Sequence, residues 1–257
     1  MDRINASQLK ALASSPVEYY HRFVEGATPP SESAAMAFGT LLHLWAEKGE
    51  SVFWDLAKRY PDEVLTATGQ LGKDAKAWAA AQPEGSVLIT PSDWRRLYDQ
   101  TRMILRHKGA RRLLESAVDR EFNVLFDWNG NPCKCRSDGA TEGEWFDLKT
   151  TKDPDPQNSS HHSVSSFHYD IQAAFYYEAS RQAGWPEHSL QFIWTSTTPP
   201  YLCDVSWLPP DVMRAARHRC EQLLVELQYR KEWNCWLPEN YGECHEMNWP
   251  NWKRGGR

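Results

Sequence analysis

The stretch Trp145-Phe146-Asp147-Leu148-Lys149 limits what this chain can fold into more than any other. Side chains of a strand alternate between two faces, so Asp147 and Lys149 share a face with Trp145 while Phe146 and Leu148 take the other. A carboxylate and an ammonium two residues apart, flanked by bulky apolar groups, suit a plain core poorly, because a buried charge needs a partner. They suit a strand whose carboxylate holds a divalent cation and whose lysine meets a phosphate. A second acid stands upstream, at the end of Cys133-Lys134-Cys135-Arg136-Ser137-Asp138, with eight residues between it and Asp147.

Hydrolysing a phosphodiester brings water to a phosphorus already surrounded by negative charge. Mg²⁺ prefers oxygen ligands and keeps several waters, so a few carboxylates suffice to hold it. The ion lowers the pKa of a water, orients it and neutralises developing charge. A nearby lysine positions that water, assists its deprotonation or stabilises the pentavalent phosphate. On this reading Asp138 and Asp147 are the ligands and Lys149 is the catalytic cation. A solvated strand face with an ordinary Asp–Lys pair is spelled the same way, so these three residues alone leave both readings open.

With 257 residues, no internal repeat and no boundary signal, the chain is expected to form one domain over 1–257. Residues 1–118 read as mainly helical, 119–230 as the sheet core carrying the site, and 231–257 as an irregular tail. The formal net charge of −5 excludes a generic polyanion binder. Any nucleic-acid contact must come from local basic patches and metal. The opening MDRINASQLK has no apolar signal-peptide core, and no apolar run is long enough to span a bilayer, so a cytoplasmic protein without membrane contact is expected. Six cysteines (Cys133, Cys135, Cys203, Cys220, Cys235 and Cys244) form no CxxC pair, and reduced thiols are expected rather than zinc or iron–sulfur ligands.

Along the chain, Ser7 is placed to cap a short helix through Leu12, and Ser15-Pro16 to open the next. After a polar loop over 26–33, a helix is expected from Ala34 to Glu47. It carries Phe38-Gly39-Thr40-Leu41-Leu42-His43, and Gly39 leaves room one turn before the imidazole. His43 by itself reads first as a core histidine bonded to a backbone carbonyl, and only the ordered motifs turn that reading round. Residues 60–86 are weakly patterned. Thr90-Pro91 opens a long helix towards Ala117, whose arginines face either phosphates or water. At Glu121 the period changes to two: a strand to Trp128, a turn at Asn129-Gly130, and a return strand from Pro132 to Asp138. Trp145–Thr151 is a third strand, and Asp153–Ser166, with His161-His162, reads as a polar loop. A helix from Phe167 to about Ala183 places Gln172 and Tyr176 on one face. Strands at 190–196 and 201–207 and a helix from Pro210 to Tyr229 complete an α/β (α+β) fold, a mixed central sheet flanked by helices.

Taken in order, these motifs resemble the PD-(D/E)XK nuclease superfamily, and within it the phage and prophage recombination exonucleases of the exonuclease VIII (RecE) type. The resemblance rests on Ser7-Gln8-Leu9-Lys10 with Ser15-Pro16, Phe38 to His43, Cys135 to Asp138, Asp147-Leu148-Lys149-Thr150-Thr151, and Tyr169 to Tyr176. It implies a restriction-endonuclease-like core with His43, Asp138, Asp147 and the Leu148 carbonyl as metal ligands. Lys149 becomes the catalytic lysine, with Asp138 and Asp147 beside it, and Gln172, Tyr176 and Arg136 support the site and touch DNA. Glu121 is at most an outer ligand. The implied cofactor is Mg²⁺, with Mn²⁺ as an alternative. Related RecB-type nucleases hold an iron–sulfur cluster through one early cysteine and three late ones. None stands before Cys133, so no cluster is expected.

The implied activity is 5′→3′ exonucleolytic digestion of linear double-stranded DNA, leaving 3′ single-stranded tails for recombination by strand annealing. The implied partners are duplex ends, a single-strand annealing recombinase, and further copies of the chain in a ring-shaped homo-oligomer, inside a bacterial host cell. Two alternatives share the core: a structure- or site-specific endonuclease, and a non-catalytic DNA-binding or assembly protein.

Overall fold

The asparagine-glycine turn expected at residues 129–130 organises the sheet. In the computed structural model, which describes residues 3–27, 34–185, 190–238 and 241–243, Asn129 and Gly130 both take positive φ (52° and 78°). Asp127 accepts the Gly130 N–H at 2.7 Å. Two successive positive φ values match the twist of a hairpin. Most of the loop expected over 26–33 and most of the tail expected over 231–257 lie outside the described residues.

The first half contains α1 (Ala6–Ser14), α2 (Pro16–Tyr19, prolonged by a π turn over Tyr20–Val24), α3 (Ala34–Lys48), α4 (Glu50–Leu56) and β1 (Ala57–Arg59). After these come a 3-10 turn (Asp62–Val64), α5 (Ala75–Ala80), β2 (Val87–Ile89), α6 (Pro91–Arg106) and α7 (Lys108–Glu115). The second half contains β3 (Asp119–Trp128), β4 (Asn131–Ala140), β5 (Trp145–Thr151), α8 (Pro156–Ser166), α9 (Tyr169–Gln182), β6 (Gln191–Ser196), β7 (Cys203–Ser206) and α10 (Pro210–Trp233). Strands β3-β4-β5-β6-β7 lie side by side in that order. Only the β5–β6 pair is parallel, because α8 and α9 carry the chain back across the sheet. The sheet is mixed and flanked by helices, as the period changes imply.

Alternation along β5 divides the interior into two layers. Trp145 joins Phe192 and Trp194 on the face covered by α1, α9 and α10, with Leu9, Phe175 and Leu223 packed over them. Phe146 and Leu148 join Ile193 on the face covered by α3, α6 and α7, with Leu42, Leu97 and Leu113 above. Across the second layer, Gln100 Nε2 donates to Thr195 Oγ1 at 3.0 Å, while Gln100 Oε1 is buried without a partner.

Four expectations are corrected. The stretch Asp153–Ser166 is not a loop: Pro156 starts α8, and its half-buried Val164 packs on the first layer. Asn5 rather than Ser7 caps α1, in a reciprocal box where Asn5 Oδ1 accepts from Gln8 N (3.0 Å) and Gln8 Oε1 accepts from Asn5 N (2.9 Å). The helix opened by Thr90 breaks at His107, whose extended backbone and Nδ1, accepting from Ala110 N at 3.2 Å, start α7 afresh. The weakly patterned segment 60–86 carries the 3-10 turn and α5, and the residues that flank it pair in parallel as β1 and β2.

Candidate active site

β4 and β5 separate where the two acids stand. They are paired at Gly139↔Phe146 and Ala140↔Trp145, and one step further Asp138 and Asp147 face each other across a fork. There the ladder is replaced by a side chain: Asp138 Oδ2 accepts the Leu148 N–H at 2.6 Å. The other neighbour of β4 is irregular at the same level. Arg120↔Gly139 and Phe122↔Ser137 are in register, but between them Glu121 has a φ of 55°. Cys135 and Ala140 consequently face the same layer although they are five residues apart. Asp138 stands opposite Glu121 at this irregularity, between the two registered pairs.

Three elements converge on the fork. From α3, His43 Nδ1 approaches Asp138 Oδ2 to 3.2 Å, and its side chain keeps 37% exposure, so the ring is reachable from solvent. A Cβ built on Gly39 would meet nothing within 4 Å, so the room expected one turn before the imidazole is present. From α9, Gln172 Nε2 donates to Asp147 Oδ1 at 2.8 Å, and the Tyr176 hydroxyl donates to the Arg136 carbonyl at 2.5 Å. From β5, the Lys149 ammonium pairs with Asp147 Oδ2 and lies 4.7 Å from the centre of the Tyr169 ring. Arg136 Nε binds Glu121 Oε2 at 2.7 Å on the rim. The sequence-expected set (His43, Asp138, Asp147, Lys149, Gln172, Tyr176 and Arg136) is thus assembled in one place. The Leu148 N–H takes part; its carbonyl as a ligand remains what the resemblance implies.

Burial raises Asp147, the Asp138 charge raises it further, and Lys149 brings it only part of the way back, so it lies above the ordinary carboxylate range. For Asp138 burial acts in the same direction, but the His43 ring, the Lys149 ammonium and the Leu148 N–H outweigh it and hold the group low. Burial lowers His43, yet the two carboxylates more than compensate, and Lys149 is likewise held above its usual value against burial. Two adjacent carboxylates, one driven towards its neutral form, are short of positive charge. A hard divalent ion fits that deficit and the oxygen-rich donor set. Among the described residues no three His, Cys, Asp or Glu side chains are grouped so that they could hold an ion by themselves. An open set of this kind suits an ion whose sphere is completed by water and substrate oxygens.

Sequence reasoning missed several lining residues. Glu47 stands with Thr40, His43 and Leu44 on the wall of the fork, and their spacing along one face of α3 was a signal available in the sequence. Lys10 and Tyr169 line the opposite side, and no spacing in the sequence links them to β5. His161 and His162 are exposed on α8, ring to ring at 4.0 Å, and line neither side. Cys133 and Cys135 are buried free thiols whose pKa burial pushes up to about 12.

A protein from Eubacterium rectale named as a candidate exonuclease has the same fold, with a TM-score of 0.64 at 14% identity over 98% of this chain and 93% of that one. A second solved structure, SSO0001, aligns over 74% of this chain and 87% of its own at 14% identity, with a TM-score of 0.29 that carries no argument. A search of curated proteins returns no match. The family model described as a PDDEXK-like domain of unknown function matches from residue 5 to residue 247, and on a match of that extent the chain belongs to the PDDEXK-like family.

Proposed function

We propose that this protein is a divalent-metal-dependent exodeoxyribonuclease that digests linear double-stranded DNA from 5′ to 3′ and leaves 3′ single strands for annealing. The observation that carries the nuclease reading is the setting of Asp147. It is buried, tied by Gln172, paired with Lys149 and opposed by Asp138 across the strand fork. Family membership supports the same class of chemistry. When bound, Mg²⁺ or Mn²⁺ supplies charge neutralisation at the phosphate and a water of lowered pKa.

His43, Asp138, Asp147 and the Leu148 carbonyl would hold the ion. Gln172 fixes the Asp147 carboxylate so that its second oxygen stays turned towards Lys149. The Lys149 ammonium then orients the attacking water and stabilises charge as it develops on the phosphate. Tyr176 holds the Arg136 backbone, and the Arg136 side chain remains free at its tip to meet DNA. End dependence, polarity, a ring-shaped homo-oligomer, a single-strand annealing partner and a phage or prophage setting belong to the same proposal, on the strength of the motifs shared with exonuclease VIII-type enzymes. Among the described residues no helix is long and apolar enough to cross a membrane.

The test is digestion of linear duplex labelled at the 5′ or the 3′ end, beside a covalently closed circle, with Mg²⁺ and with EDTA. Early release of the 5′ label with the circle untouched is expected, and Asp138→Ala and Lys149→Ala should remove it. A cut circle would replace the exonuclease with an endonuclease, and intact substrates throughout would leave a DNA-binding protein.

A further inference from the structure

The fork has a second half on the other side of Lys149. Around His43 the lining is acidic, with Glu47, Glu121, Asp138 and Asp147. Past Arg136, Lys149 and Tyr176, which line both halves, a cleft of about 540 Å³ opens between α1 and the β3–β4 hairpin. Its charged lining is Lys10, Lys134, Arg136 and Lys149, with no carboxylate. In a chain of net charge −5, this separation of sign within one trench is a local choice. It places a cation-binding half beside an anion-binding half.

Lys10 gives the cleft its chemistry. Its ammonium lies 4.4 Å from the centre of the Tyr169 ring, the same ring that carries Lys149. Lys149 has Asp147 as its counterion. Among the described residues nothing accepts a hydrogen bond from Lys10, and no carboxylate lies within ion-pair distance of it. Burial and the nearby Lys149 charge lower its pKa to about 8. A half-buried ammonium without an acceptor is costly unless an anion arrives to meet it. The size of the cleft is that of a site for a small ligand, so it takes a short segment of one strand.

We propose that this cleft seats the DNA strand beside the scissile bond, with Lys10 binding the phosphate next to the one that Lys149 serves. The inference rests on the nuclease reading for its substrate and adds a positioning residue and a path for the strand. Phosphate contacts of this kind fix register and orientation and carry no sequence preference. The competing role for Lys10 is packing alone, a cation–π clamp that holds α1 against Tyr169.

The experiment compares wild type with Lys10→Gln, Lys10→Arg and Lys134→Gln, using Lys58→Gln on β1, which lines neither half of the trench, as a control. Binding of a fluorescent oligonucleotide duplex is followed by anisotropy with Ca²⁺ in place of Mg²⁺, across a salt series. Cleavage kinetics are measured with Mg²⁺. Losing one phosphate contact should reduce the log–log salt slope by about one unit and raise KM about tenfold with kcat little changed. Lys10→Arg should restore both, and Lys58→Gln should move neither. A wild-type slope and KM in Lys10→Gln would overturn the cleft assignment. So would a loss that follows a lowered melting temperature and is not restored by arginine. The slope is read without cleavage, so an inactive wild type whose slope still depends on Lys10 would refute the nuclease and leave the cleft standing.

Discussion

Asp147 is where stability and chemistry oppose each other. Its folded pKa is raised, so the folded chain holds a proton there more tightly than the unfolded chain does. The stability this lends is present below the ordinary carboxylate range and is lost as pH rises through the raised value. At neutral pH the charged form is therefore a burden on the fold. Asp147→Asn keeps the acceptor for Gln172 and removes that charge. It also leaves the buried Lys149 ammonium without its counterion, a loss that opposes the relief at position 147, and cleavage should fall about 10²–10⁴-fold. Mn²⁺ should raise the melting temperature of wild type and leave the variant unmoved, since only a state that binds the ion gains from it. A variant that cleaved as wild type does, or whose melting temperature rose with Mn²⁺ as that of wild type does, would contradict the role given to this carboxylate. The sequence made Asp138, Asp147, Lys149 and His43 legible because each sits in a motif of fixed spacing. Lys10 and Tyr169 were not legible as site residues, because only the docking of α1 and α9 on the sheet brings them to Lys149.

At the scale of elements, the fork depends on a position that tolerates no side chain. A Cβ on Gly139 would fall 2.2 Å from Phe146 Cζ, and the Phe146 ring is fully buried in the second layer. Gly139→Ala should cost about 1–3 kcal/mol, as overpacked cores do, and should reduce cleavage because Asp138 is the next residue. Adding Phe146→Leu should recover part of the melting temperature; a Gly139→Ala protein as stable as wild type would refute the packing argument. A second clamp joins α9 to α10: Glu178 is 2% exposed and binds Arg181 at 2.6 Å and Arg217 at 2.9 Å. Burial pushes its pKa up, but the two arginines and Gln182 outweigh this and leave it below the usual value. Its contribution to stability is thus complete above the ordinary carboxylate range and fades as pH falls through the depressed value. Denaturant melts should show wild type losing stability on acidification in that window more steeply than Glu178→Gln; equal slopes would remove Glu178 from the account. The hairpin and β5 were readable because period-two patterning and an Asn-Gly turn are local. The helix α8 was not readable. Its serines, histidines and asparagine favour caps and turns, and it is helical because Pro156 starts it and Val164 has a core to meet.

At the scale of the molecule, the chain threads both faces of one sheet. α1 places Leu9 and Leu12 in the layer under α9 and α10, while α3, α6 and α7 place Leu42, Leu97 and Leu113 in the opposite layer. The strand edge is tied to the beginning of the chain as well: Ile4 N donates to the Pro132 carbonyl, and Lys134 N donates to the Ile4 carbonyl. The helical stretch 1–118, which reads in the sequence as a separate run, therefore has its apolar residues divided between two surfaces that β5 and β6 supply. Without the sheet, the α1 set has nothing to cover and the α3, α6 and α7 set loses Phe146, Leu148 and Ile193, and buried apolar area is what offsets the entropy of ordering a chain. A fragment of residues 1–118 should accordingly lack cooperative unfolding and dispersed amide resonances, although it holds all the helices described before β3. The whole chain should unfold in one transition with equal calorimetric and van't Hoff enthalpies. A cooperative melt of the fragment, or two transitions in the whole chain, would show that the helices before β3 form a unit of their own. In that case the position of His43 relative to Asp138 would be set by docking between two units rather than by one shared core.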